Sequence, residues 1–388
     1  MNKTVLLSAG GTGGHLFPAQ ALAQELIARG WAVHLATDER GMRYADRFPG
    51  GEIHVLDSAT FGSRNPIALA KTTFKLVRGY LAARALLKKL QPSVVVGFGG
   101  YPSLPPLFAA QQMAVPTVLH EQNAVLGRAN KVLAKKAVAV AAGFSSDTLP
   151  ADTVITGNPL RPEILEIVER LDKSSEPYPV SDGNAPFNLL VLGGSQGAQF
   201  FGEAIPAALA LMASEQKARV RLTLQAREEQ LEGAKAALGS AGITAEVAPF
   251  FEGIGRRLEA AHLVICRAGA STISEVAAVG RPSILVPYPF ALDHDQAANA
   301  KELVERGGGV VAPQNTLDAK QIATLVGNAM KNPQALAKQA RAAAMTGKPR
   351  AAQQLTDLVV EVAKGRYVGG AMAALPADAN DAGDRKQG

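Results

Sequence analysis

The chain has 388 residues, of which 47% are hydrophobic and 19% charged, with a formal net charge of +6. That length exceeds what one hydrophobic core usually serves and makes two domains the expectation, while no apolar run reaches the ~18 residues that would span a bilayer. Aromatic residues are only 5%, and with no zinc spacing, RNA motif or dense Lys/Arg stripe nucleic acid is the least favoured partner.

The modest positive charge is compatible with an anionic substrate or an anionic membrane surface. Met1-Asn2-Lys3 leads straight into an apolar run, leaving no room for a signal peptide, and the single Cys266 excludes an internal disulfide framework. The cytoplasm is the expected compartment.

In chain order, Thr4-Val-Leu-Leu7 reads as a strand, Ser8 to His15 as a glycine turn, and Leu16 to Arg29 as a helix stopped by Gly30. Glycines at a strand-to-helix turn let the backbone approach a ligand, and the helix N-terminus offers N–H groups and partial positive charge to an anion. The dinucleotide fingerprint fails, because counting from Gly11 its sixth position is Leu16. A Walker loop fails too, since Gly347-Lys348 is followed by Pro349 and follows no strand.

Trp31 to Ala36 and Ile53 to Leu56 are the next predicted strands, followed by a long helical pattern to Leu90. Val94 to Val96 ends in a second glycine turn, Gly97 to Pro102. Thr117 to Leu119 delivers His120-Glu-Gln-Asn123 to the same sheet edge, where polar residues read as a site. Val138 to Ala142 and Val154 to Thr156 complete this half, which closes with Gly157-Asn-Pro-Leu-Arg161.

Periodicity then fades into Ser174-Ser-Glu-Pro-Tyr-Pro179, a linker composition. Strand, glycine turn and helix recur in Asn188 to Leu192, Gly193-Gly-Ser-Gln-Gly197 and Phe200 to Met212. Val220 to Leu224, Thr244 to Ala248, Leu263 to Cys266 and Ser283 to Val286 are further strand candidates. The expected organisation is a first domain over 1–161, a linker over 162–186, a second domain over 187–348, a helix over 349–364 and a disordered tail over 365–388. Two doubly wound α/β domains of this kind face each other across a cleft that should hold the ligands.

Gly10-Gly-Thr-Gly-Gly-His15, Gly99-Gly-Tyr101, His120-Glu-Gln-Asn123, Gly157-Asn-Pro159 with Arg161, Gly193-Gly-Ser-Gln-Gly197 and Cys266-Arg-Ala-Gly-Ala-Ser-Thr-Ile-Ser-Glu275 occur in this order. The ordered set resembles the MurG family of bacterial peptidoglycan N-acetylglucosaminyltransferases, over roughly Thr4 to Lys364. The resemblance implies a GT-B fold of two Rossmann-like domains. It also implies inverting transfer of GlcNAc from UDP-GlcNAc to undecaprenyl-diphosphate-N-acetylmuramoyl-pentapeptide, on the cytoplasmic face of the membrane and without a cofactor or metal. Other cell-wall synthesis proteins are candidate partners.

Each site residue has two readings. Glu275 fits a capping box with Thr272, and by resemblance accepts ribose hydroxyls; the N–H groups from Ala270 through Ser271, Thr272 and Ile273 to Ser274 would then serve the diphosphate. Ser195 is a small turn residue or a phosphate donor. Arg161 is an exposed arginine by composition and a nucleotide contact by resemblance. Gln296 caps a helix or meets sugar hydroxyls, in a loop one residue longer than the family pattern. Phe251 matches a position whose backbone reads the uracil edge, so its side chain could equally be core. Asp293, His294 and Asp295 are consecutive and cannot all face one ion.

On the acceptor side, Thr12, Gly13 and Gly14 form the first turn, and Asn123 could orient the sugar. His15 is the expected general base, because an unperturbed imidazole with pKa about 6.5 is largely neutral and still basic near pH 7. Its plainer role is packing at the helix start, and Glu121 is the rival base. Leu69, Phe74, Leu76 and Val77, with Ile67, stand beside Arg64, Lys71, Lys75 and Arg78 in a helical pattern. That mixture suits a membrane interface, or an ordinary helix packed on its own sheet. Two other functions keep the fold: a nucleotide-sugar enzyme with a different acceptor, and a non-catalytic nucleotide-sugar-binding scaffold.

Overall fold

The computed structural model describes residues 2–42, 48–59, 65–194, 198–290 and 295–369. Its first sheet is formed by β1 (Thr4–Ser8), β2 (Ala32–Thr37), β3 (Ile53–Val55), β4 (Val94–Gly97), β5 (Thr117–Glu121), β6 (Ala139–Ala142) and β7 (Val154–Ile155). Between and after them run α1 (Gly13–Ala28), α2 (Pro66–Leu90), α3 (Leu104–Gln112), α4 (Arg128–Leu133) and α5 (Pro162–Asp172). The order is β3-β2-β1-β4-β5-β6-β7, and each neighbouring pair is parallel.

The second sheet repeats that winding with β8 (Phe187–Leu192), β9 (Val220–Gln225), β10 (Thr244–Ala248), β11 (Leu263–Cys266), β12 (Ser283–Leu285) and β13 (Gly309–Val311). Its order is β10-β9-β8-β11-β12-β13, again parallel throughout. The helices are α6 (Ala198–Ala210), α7 (Ser214–Arg219), α8 (Leu231–Ser240), α9 (Ile254–Ala260), α10 (Ala270–Val279), α11 (Asp295–Glu305), α12 (Ala319–Lys331), α13 (Pro333–Ala344) and α14 (Ala351–Ala363). Two doubly wound domains are therefore present as expected. Parallel strands are covered on both faces, which is why Val94, Val95 and Val96 form an unbroken buried apolar run rather than an alternating one.

Three departures from the sequence reading stand out. Helix α1 starts at Gly13, not Leu16, because glycines carry no apolar periodicity to reveal the first turn. The span expected to be linker holds α5, whose Ile164, Ile167 and Val168 pack with Ile254, Leu258 and Val276 in a second-domain core. A strand that the sequence did not signal, β13, extends the second sheet. Of the tail expected over 365–388, residues 370–388 lie outside the described residues.

The last helix crosses back. Leu355, Leu358, Val359 and Val362 of α14 join Val5, Leu7, Leu22, Leu26 and Val96 in one core of the first domain. Arg29 pairs with Asp357, and Gln353 Nε2 donates to Glu25 Oε1 at 3.1 Å. Two passages therefore connect the domains, one into α5 and one out of α13. Among the described residues no helix is long and apolar enough to cross a membrane.

Leu358 is fully buried, so Leu358→Ala should destabilise the protein by about 2–5 kcal/mol. Urea denaturation measures this, with the exposed Leu211→Ala as a control expected within about 0.5 kcal/mol of the parent. Equal midpoints for the two variants would mean that α14 does not hold the first domain.

Candidate active site

Parallel winding brings the C-terminal ends of the strands, and the helices after them, to one edge of each sheet. Strand β1 runs through the glycine turn into α1, and β11 through Arg267-Ala268-Gly269 into α10. Both helices have an extended N-cap (Thr12, Gly269), no side-chain cap and no acidic residue in the first turn. Among the described helix N-caps only that of α12 has a side-chain bond, the capping box of Asp318 with Gln321, so α1 and α10 are set apart by their place after β1 and β11 rather than by the missing cap. The two uncapped N-termini keep their N–H groups and positive dipole ends for an external anion.

The donor set at α10 is narrower than expected. The N–H of Ile273 donates to Gly269 O at 3.0 Å, and Ser274 lies one residue deeper in the helical ladder. Only Gly269, Ala270, Ser271 and Thr272 have N–H groups outside that ladder. The capping-box reading of Thr272 and Glu275 also falls, because the helix begins at Ala270 and places Glu275 well past its first turn.

Glu275 instead faces Arg161. Arg161 Nε donates to Oε1 at 2.8 Å and Nη2 to Oε2 at 2.7 Å, while Nη1 reaches Glu163 at 3.1 Å. The guanidinium also lies over the Phe17 ring of α1. Burial pushes the Glu275 carboxyl above the usual carboxylate range, and the Arg161 guanidinium pulls against it. A carboxylate has about four lone-pair sites, so two remain after the Arg161 fork.

The seam between the domains is polar and paired. Asn299 of α11, fully buried, accepts from Ala124 N at 2.7 Å and donates to Asn123 Oδ1 at 3.1 Å and Ala268 O at 3.2 Å. Asn158 Nδ2 donates both to Gln122 O and to Ser274 Oγ, each at 3.0 Å. Room for this amide requires glycine at 143, where a Cβ would stand 2.4 Å from Asn158 Nδ2.

His15 lies in the first turn of α1, half-buried. Its Nδ1 is 2.8 Å from Gln122 Oε1. The other ring edge lies against Gly100, at φ 74°, where a Cβ would come 3.3 Å from His15 Cδ2 and 3.5 Å from Nε2. Thr12 and Gly14 are exposed and Gly13 half-buried beside it. Glu121, the rival base, is buried with both oxygens occupied: Oε1 accepts from Asn123 N at 3.1 Å and Nδ2 at 3.4 Å, Oε2 from Gly127 N at 2.9 Å and Asn130 Nδ2 at 2.8 Å. It anchors the 121–130 loop and turns away from His15's network.

Of the remaining candidates, Phe251 is core, with Arg257 over its ring at 4.7 Å. Gln296 Oε1 accepts from Tyr288 N at 2.9 Å and so braces its loop. Ser195, Asp293 and His294 lie outside the described residues. The glycine turn of the second domain is held by a residue the sequence did not flag: Gln225 Oε1 accepts from Gly193 N at 3.1 Å and Gly194 N at 3.2 Å. His120, Gln122 and Asn158 stood in motifs the sequence singled out but were given no role of their own, and Asn299 was missed outright. Away from this edge, the described residues include one group of metal-ligand type, His34, Glu52 and His54, where Lys89 already pairs with Glu52 at 3.6 Å.

Residues 5–142 match the glycosyltransferase family 28 N-terminal domain and residues 188–355 its C-terminal domain. The chain is 53% identical to the UDP-N-acetylglucosamine–N-acetylmuramyl-(pentapeptide) pyrophosphoryl-undecaprenol N-acetylglucosamine transferase of Mesorhizobium japonicum, covering 94% of this chain and 96% of that protein. A protein of the same name from Sinorhizobium fredii is also 53% identical, covering 95% and 98%. Among solved structures, Acinetobacter baumannii MurG superposes with a TM-score of 0.74 at 31% identity, over 92% of this chain and 99% of that one. The Neisseria meningitidis UDP-GlcNAc 2-epimerase shares the fold alone, with TM-score 0.64 and 14% identity over 92% and 100% of the two chains. The architecture is GT-B.

Glu121→Ala would leave its four N–H contacts without an acceptor. The expected loss is at least about 3 kcal/mol, each unsatisfied buried group costing about 1–3 kcal/mol. Chemical denaturation and amide exchange at Gly127 check it; a stability change under about 1 kcal/mol with unaltered Gly127 protection would remove the anchoring role.

Proposed function

This chain belongs to glycosyltransferase family 28, and we propose that it transfers GlcNAc from UDP-GlcNAc to undecaprenyl-diphosphate-N-acetylmuramoyl-pentapeptide with inversion at the anomeric carbon. The observation that carries the mechanism is the pair of uncapped helix N-termini, one in each domain at the same polar seam. A diphosphate leaving group at α10 develops negative charge as the sugar departs, and a fixed dipole aimed at that charge stabilises the transition state without reorganising.

In this reading α10 takes the donor. The N–H groups of Ala270, Ser271 and Thr272 receive the diphosphate, and the two open lone-pair sites of Glu275 accept the ribose hydroxyls. Arg161 holds that carboxylate rather than the nucleotide itself. Gln296, with its carbonyl oxygen used on Tyr288, has its amide N–H groups to offer the sugar. The first glycine turn, Thr12 to Gly14, takes the acceptor, and His15 removes the proton from the attacking hydroxyl. The occupied carboxylate of Glu121 favours His15 over it. The chemistry needs no electron transfer and no cofactor enters this reading.

We also infer peripheral binding at the cytoplasmic membrane surface, since the acceptor's polyprenyl chain stays in the bilayer. Helix α2 packs on its sheet through Gly79, Ala83, Leu86 and Leu87, yet turns a second apolar face outward: Leu69, Phe74 (67% exposed), Val77 and Leu81 (59%), with Phe108 beside it. Exposed Lys71 and Lys75 flank that face, the arrangement that enters an anionic interface. Arg78 is paired with Asp57, and Arg64 lies outside the described residues.

Incubation with UDP-GlcNAc and the monosaccharide lipid, followed by mass analysis, should give the lipid-linked disaccharide and free UDP; UDP-GlcNAc binding without product would support the scaffold alternative. His15→Ala should turn over at least about a hundredfold more slowly with near-normal donor affinity. Glu275→Ala should instead weaken donor binding by about 1–3 kcal/mol. The reverse pattern would exchange the two assignments. Separately, Phe74→Ser with Leu81→Ser should lower co-sedimentation with anionic vesicles and leave thermal stability unchanged, both side chains being exposed. Undiminished sedimentation would rule out this face.

A further inference from the structure

Three buried groups stand in line behind His15. His120 is fully buried, and desolvation lowers its pKa to about 4, so it is neutral. Its Nε2 is 3.0 Å from Gly157 O, and its Nδ1 is 3.0 Å from Gln122 Nε2. Gln122 Nε2 also donates to the His120 carbonyl at 3.0 Å, and Gln122 Oε1 meets His15 Nδ1 at 2.8 Å.

The proton positions follow from one fixed end. A backbone carbonyl only accepts, so His120 Nε2 carries the hydrogen that meets Gly157 O. A neutral imidazole has one hydrogen, which leaves Nδ1 as an acceptor. The Gln122 terminus that faces Nδ1 and the His120 carbonyl therefore faces two acceptors, and must be the NH2 group. Its oxygen is then turned to His15, and that oxygen only accepts. His15 Nδ1 must donate to it, so neutral His15 keeps its lone pair on Nε2, the nitrogen beside Gly100, which makes no hydrogen bond among the described residues.

We infer that Gln122, backed by His120 and the Gly157 carbonyl, is the positioning residue that fixes the proton on His15 Nδ1 and presents Nε2 as the proton acceptor. The inference deepens the reading of His15 as the general base and rests on it. When the acceptor hydroxyl forms its bond to the anomeric carbon and UDP leaves, the proton passes to Nε2, and no hydrogen in the line has to move. A neutral amide in this place orients the ring as the carboxylate of a serine-protease triad does. In that triad, imposing the wrong tautomer costs about 10⁴ in kcat.

The line also touches the donor side. The Gln122 carbonyl accepts from Asn158, whose same amide nitrogen donates to Ser274 on α10. The residue that orients the base is thus tethered to the helix that takes the diphosphate.

Heteronuclear NMR of the full-length wild type, with imidazole nitrogens labelled, reads the tautomer directly and needs no variant. The expected result is an Nδ1–H tautomer for His15 and an Nε2–H tautomer for His120. Gln122→Met, close in size but unable to hydrogen-bond in this way, should give His15 as a mixture of tautomers. Its kcat should fall at least about tenfold, short of the ~10²–10⁴-fold of losing a general base, with KM for UDP-GlcNAc within about twofold because binding does not use this nitrogen. In a His15→Ala background Gln122→Met should cost nothing further, since it acts only through His15. An Nε2–H tautomer of wild-type His15, or a Gln122→Met loss that persists undiminished without His15, would overturn the inference. Near-normal turnover of His15→Ala would instead overturn the base assignment, and the wild-type tautomers would still decide the relay.

Discussion

Polar groups can be buried between two domains only if each finds a partner, and that requirement organises the seam. The peptide N–H of Ala124, the amides of Asn123 and Asn158, and the guanidinium of Arg161 all come from the first domain or its exit. They meet Asn299, Ser274 and Glu275 on two helices of the second. An isolated buried carboxylate would be too costly to keep ionised, and Arg161 makes Glu275 tolerable there while orienting it. Of the residues proposed to touch substrate, Glu275 belongs to this paired layer, and His15 is joined to it through Gln122, whose backbone carbonyl accepts from Asn158.

The same edge gathers two open helix ends. Helices α1 and α10 begin without side-chain caps, as most described helices of the chain do, α12 being the exception; what sets the two apart is that each follows a strand to the polar seam. An N-cap contributes about 1 kcal/mol to helix stability, so each open end is a local cost offset by packing elsewhere. The glycine turn of the second domain is treated differently, with Gln225 accepting its first two N–H groups. A side chain from β9 thus fixes the start of that turn, while Ser195 to Gly197 lie outside the described residues.

Much of this was legible in the sequence. Buried parallel strands are unbroken apolar runs, so strand after strand was readable within a residue or two, and the repeated strand-glycine-helix unit gave two domains. What failed had physical causes. Gly13 and Gly14 carry no periodicity, which hid the start of α1. The polar stretch after Asp172 drew the linker boundary too early and absorbed α5, whose apolar stripe Ile164-Ile167-Val168 was visible but was outweighed. For the site, alternation along the end of β5 held an unused signal: His120 and Gln122 share one face, Glu121 and Asn123 the other. That alternation separates the His15 line from the loop anchor, as the hydrogen bonds do. Asn299 left a weaker trace, a polar residue in the stripe with Ala300 and Leu303. The roles of Arg161 and Asn158 depend on partners more than a hundred residues away, which no local pattern encodes.

The return of α14 to the first domain bears on how the chain is made. A ribosome releases β1 to β7 long before Leu355, Leu358, Val359 and Val362 exist, so the sheet face they cover stays unsealed while the whole second domain is synthesised. The first domain therefore cannot finish folding by itself, although domains generally fold as units in order of synthesis. Its last core layer arrives only with α14, after the whole second domain, and a product cut short before that helix leaves the face open.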